Sequence, residues 1–108
     1  MTFIKIPLVV LLLLLPLCAV SAEDASLVLG KKLFSDRSLS HSTNAVSCQS
    51  CHAGGAKLEG AAANPDLAAQ VNRCIVGALK GEPLPMDSVE LRSLVMYVEQ
   101  LSENASEK

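Results

Sequence analysis

Two thiols and an imidazole stand within five residues, Cys48-Gln49-Ser50-Cys51-His52. At this spacing each thiol can add across one vinyl group of the same porphyrin, and the histidine after the second thiol can reach the iron as an axial ligand. C-x-x-C-H therefore reads as the attachment site of one c-type haem, and haem c with its iron is the expected cofactor. Two other chemistries compete. A thioredoxin-like redox pair needs a strand before the motif and about a hundred residues of alternating strands and helices, a pattern this chain lacks. A zinc half-site needs a second pair of ligands, and outside the N-terminal leader only Cys74 and His41 remain to supply it.

The leader points the same way. Lys5 precedes an apolar run from Ile6 to Val20, which ends in the small residues Ser21 and Ala22. This predicts a secretory signal over residues 1–22, cut before Glu23. The run is interrupted by Pro7 and Pro16 and falls short of the ~20 residues of a membrane span. Leu17 stands where a lipidated Cys18 would need a small residue before it. Export to the periplasm suits the motif, because bacteria attach haem of this kind outside the cytoplasm.

Residues 23–108 then form one domain. They carry eleven acidic and eight basic side chains, a formal charge of −3, with no basic run. Nucleic acid and anionic membranes are poor partners for such a surface, so redox proteins are the expected ones. Three cysteines remain, an odd number that argues against a disulfide framework. A chain this short buries little apolar surface, and a haem would supply the staple it needs.

The elements that must hold the motif read as helices. Apolar spacing predicts a first helix from Ala25 to Asp36, with Leu29, Gly30, Leu33 and Phe34 on one side and Lys31 and Lys32 on the other. Gly30 costs about 1 kcal/mol of helix stability against alanine, which marks a close approach of another backbone. Residues 37–47 read as a polar loop holding a solvated His41. The Ala- and Gly-rich stretch from Ala53 to Asn64 would let backbone pass close to a flat ring. Asn64, Pro65 and Asp66 open a second helix that runs to Lys80 and is stopped by Gly81. Its apolar face is Leu67, Val71, Cys74, Ile75 and Ala78, with Cys74 near the middle. A loop stiffened by Pro83 and Pro85 leads to Met86. Asp87 and Glu90 then cap a last helix from Ser88 to Ser102, with Leu91, Leu94, Val98 and Leu101 at core spacing, Met96 in the core, and a frayed tail from Glu103 to Lys108.

With these elements placed, the chain resembles a small monohaem cytochrome c of the class I type, an all-α fold of about three helices around one haem. In that family a glycine in the first helix and an aromatic residue in the last let the two cross, places that Gly30, Phe34 and Tyr97 match. A proline carbonyl after the motif accepts the proton of the ligand histidine there, and Pro65 looks like that position. The opening LGKKLFSDRSLS...VSCQSCH is similar to the haem segments of bacterial di-haem peroxidases. The stretch VNRCIVGALKGEPLPMDSVELRSLVMYVEQLS is similar to the end of thiosulfate-oxidising cytochromes.

The resemblance leaves the sixth iron ligand open. Met86 stands before the last helix, where class I cytochromes often place a ligand methionine; Cys74 matches the cysteine that ligates iron in the thiosulfate-oxidising group; a third option is neither. Methionine would raise the potential and an anionic thiolate lower it. No acid–base pair, nucleophile constellation or phosphate loop is visible. The expected function is therefore electron transfer rather than catalysis, by a soluble carrier or a subunit of a larger cytochrome complex. The alternatives are a haem enzyme or subunit of sulfur-compound oxidation with Cys74 at the iron, a haem protein with an open distal site, and a haem-free structural protein.

Overall fold

The structure, a computed structural model, describes residues 24–107. The export signal expected over residues 1–22 and its cleavage point lie outside them. Among the described residues there are four α-helices and no strand, so the expected all-α fold is what the chain adopts. They are α1 (Leu27–Phe34), α2 (Cys48–His52), α3 (Leu67–Gly77) and α4 (Val89–Ser106). The helix beyond the expected three is the short one that carries the C-x-x-C-H motif.

The first and last helices cross at Gly30. A Cβ there would collide with the Ser93 carbonyl and lie 2.8 Å from Tyr97 Cβ, so only hydrogen fits. Beside the crossing, the rings of Phe34 and Tyr97 meet edge to face with centroids 5.2 Å apart. Ser26 fastens the start of α1, because its hydroxyl accepts the Leu29 N–H and its own N–H donates to Ser93 Oγ, both at 3.0 Å.

Several boundaries differ from expectation, each for a local reason. α3 ends at Gly77, capped by Ala78, rather than at Lys80; Lys80 lies past the helix with a left-handed φ of 57°, and the Gly81 N–H turns back to the Ile75 carbonyl at 2.8 Å. Gly81 supplies space instead, since a Cβ there would lie 2.7 Å from Ser42 Oγ and 3.0 Å from the Ser40 carbonyl. The cap of α4 is Ser88 rather than Asp87; its hydroxyl accepts the Leu91 N–H at 3.2 Å. That helix also runs past Ser102 to Ser106. Ser102 is buried, and its hydroxyl accepts the Ala62 N–H at 3.0 Å, which ties down the turn expected to fray. Met96 is exposed rather than in the core, because it lies about 200° around the helix from Leu94. Gly55 gives close passage against α4, where a Cβ would lie 2.9 Å from the Leu101 carbonyl.

Residues 39–44 hold the motif segment against α3. The N–H groups of Thr43 and Asn44 donate to the carbonyls of Lys80 and Leu79 at 3.3 and 3.2 Å, and Asn44 Nδ2 donates to the Ala78 carbonyl at 2.8 Å. The segment expected as a plain polar loop thus pairs with the carbonyls of Ala78, Leu79 and Lys80, the chain that directly follows α3. It also buries Leu39 in the core.

Candidate functional site

That pinning delivers the chain to Ser47, which opens α2. The Ser47 N–H donates to Ser50 Oγ at 3.0 Å, and the two hydroxyls stand 3.3 Å apart, so Ser50 braces the turn on which both motif thiols sit. C-x-x-C-H alone does not mark Ser50. Its signal was the Ser-x-x-Ser spacing, a shortened relative of the usual capping pair.

Between α2, α3 and α4 lies a cavity of about 580 Å³. Phe34, Leu67, Val71, Leu79, Leu94 and Val98 form apolar walls that are buried in the core. Cys48, Cys51, His52 and Cys74 line the same space. All three thiols are free. Burial pushes the Cys48 thiol up to about 11, and the charges of Cys74 and Cys51 add to that, against a smaller opposing effect of the Cys48 backbone N–H. Cys51 is exposed at the cavity edge.

His52 is held by its backbone neighbours. Its Nδ1 lies 2.8 Å from the Ala56 carbonyl. A carbonyl can only accept, so Nδ1 carries the proton and Nε2 keeps the lone pair that a metal would need. The carbonyl expected in this role was that of Pro65. Gly54 and Gly55, with φ of 63° and 84°, turn the chain back at once after the motif and bring Ala56 to the ring instead.

The two expected sixth ligands fall on opposite sides of α3. Cys74 lines the cavity, whereas Met86 is 60% exposed and sits in a separate depression beside Met96. Asn72 makes the difference. Its Nδ2 donates to the Leu84 carbonyl at 2.9 Å and its Oδ1 accepts the Leu84 N–H at 2.8 Å, a clasp that holds the Met86 loop. Asn72 and Cys74 lie about 200° apart around the helix, so the clasp draws the loop away from the cavity. His41 is exposed and does not line it either.

The arrangement fits a covalently held haem. Its volume falls in the ~300–1,000 Å³ range of pockets that enclose small molecules. The walls are apolar, two thiols flank one turn, and a histidine offers an unprotonated nitrogen. Among the described residues no three His, Cys, Asp or Glu side chains gather as a metal cluster. A zinc site therefore has no ligand set there, while an iron held by a porphyrin requires only axial side chains.

Comparison with known families matches residues 24–106 to Di-haem cytochrome c peroxidase. Neither the curated proteins nor the solved structures give a match. The match supports the peroxidase part of the resemblance and not the class I or thiosulfate part. It also corrects the expectation that the chain is no catalyst, because the family is one of enzymes. The missing acid–base pair was a poor guide, since a haem brings its own reactivity. With 83 of its 108 residues matched, the chain belongs to the di-haem cytochrome c peroxidase family.

Proposed function

We propose that this chain is an exported electron-transfer unit of its enzyme family, holding one haem c in the cavity and working in the periplasm with redox partner proteins. The observation that carries the reading is the meeting of Cys48, Cys51, His52 and Cys74 in one apolar space. Cys48 and Cys51 would hold the haem through two thioether bonds, each made by addition of S–H across a vinyl group with nothing released. His52 would offer Nε2 to the iron, with the Ala56 carbonyl fixing its tautomer. Cys74, rather than Met86, would be the second side chain to bind the iron, because it lines the apolar cavity. Bound there, the haem supplies a one-electron Fe(II)/Fe(III) couple. The sequence carries a single C-x-x-C-H, so in a di-haem enzyme the second haem comes from another domain or chain, which makes a larger cytochrome complex the natural setting.

A second reading, oxidation of sulfur compounds such as thiosulfate, is favoured by the cysteine at the cavity. Ferric and ferrous visible spectra of the mature protein, with a redox titration, test the ligand assignment. Cys74→Ser is expected to change the spectrum and raise the midpoint potential, and Met86→Ala to change neither. The inverse pattern would assign Met86. Rapid electron exchange of the ferrous protein with a c-type cytochrome, without direct reaction with peroxide, supports the first function. Reduction of the ferric protein by thiosulfate, lost in Cys74→Ser, supports the second.

A further inference from the structure

Gln70, Arg73 and Cys74 occupy positions i, i+3 and i+4 of α3, so their side chains share one face. Arg73 donates from Nε and Nη2 to Gln70 Oε1, at 3.3 and 2.8 Å. A guanidinium has no acceptor, so the amide oxygen must face it and the amide NH2 points the other way. That NH2 lies 3.8 Å from Cys74 Sγ, within reach for a sulfur acceptor. Gln70 and Cys74 both line the cavity. The amide is therefore oriented by a charge-assisted bond that does not depend on the sulfur, and a donor is already aimed at Cys74.

We propose that Gln70, oriented by Arg73, is a positioning residue that sets how strongly the Cys74 sulfur donates to the haem iron. The inference rests on Cys74 being the sixth ligand. A hydrogen bond to a metal-bound sulfur withdraws electron density from it, and such bonds are among the factors that set the potential of a metal centre. Arg73 strengthens the donor by polarising the amide through its oxygen. The pair thus opposes part of the thiolate's pull toward ferric iron and keeps the potential higher than a bare thiolate would.

The test is the midpoint potential and visible spectrum of the holoprotein in Gln70→Leu, Arg73→Leu, Arg73→Lys and Cys74→Ser variants. Gln70 and Arg73 are exposed, so these changes leave the core intact. Gln70→Leu is expected to lower the potential while the coordination stays that of the parent. Arg73→Leu should shift it in the same direction by less, Arg73→Lys should recover part of that shift, and Arg73→Leu should add nothing once Gln70 is already leucine. If Gln70→Leu leaves potential and spectrum unchanged while Cys74→Ser alters both, the inference is overturned and the ligand assignment stands. If Arg73→Leu shifts the potential equally in the presence and absence of Gln70, the arginine acts through space and the coupling is overturned. A Cys74→Ser protein with the parent's spectrum overturns ligand and tuning together.

Discussion

Asn72 and Cys74 stand two positions apart on α3 and serve opposite sides of it. One clasps the loop that carries Met86, and the other lines the cavity. Replacing Asn72 with alanine removes both bonds to Leu84, a loss of roughly 1–3 kcal/mol for half-buried backbone groups. The melting temperature of the holoprotein should fall and its haem spectrum should stay the same. A changed spectrum would mean that the clasped loop, and Met86 with it, reaches the iron. The inward direction of Cys74 was legible, because helical spacing puts it among Leu67, Val71 and Ala78. The outward direction of Met86 was not. It depends on a side chain gripping backbone twelve residues away, and no periodicity reports that. The partner of His52 was equally hidden, since it follows from left-handed glycines rather than from a motif.

At the level of helices, two effects of opposite sign meet at Gly30. Gly30→Ala would gain about 1 kcal/mol of helix propensity. It would also drive a methyl into the Ser93 backbone, where overpacking typically costs about 1–3 kcal/mol. Backbone cannot rotate aside as a flexible side chain can, so the clash should win. Thermal unfolding should show a lower melting temperature, and a higher one would contradict the crossing. Ser102→Ala should destabilise too, by roughly 1–3 kcal/mol, because it leaves the Ala62 N–H without its acceptor. The helices and their apolar faces could be read from the spacing of Leu91, Leu94 and Val98. Their ends could not, because the last turn of α4 is held by a contact forty residues distant in sequence and the chain just past α3 by the loop at Thr43 and Asn44.

For the molecule as a whole, C-x-x-C-H and the apolar walls line one cavity, the candidate site, and nearly everything else positions it. The pinned loop leads into α2 across the cavity from α3, the crossing of α1 and α4 closes the back, and Ser50 braces the turn that carries the thiols. Catalytic membership was the feature least visible in the residues. Acid–base motifs mark enzymes whose side chains do the chemistry, whereas a haem enzyme can carry its reactivity in the cofactor. The family match supplied what the side chains did not. The most direct measurement is the intact mass of the mature protein after maturation with a c-type haem system, denaturation and extraction with acidified organic solvent. One haem should remain on each chain, and the Cys48→Ser, Cys51→Ser double variant should retain none. Haem that extracts freely from the parent protein, or more than one haem on a chain, would contradict a single covalent haem held by Cys48 and Cys51.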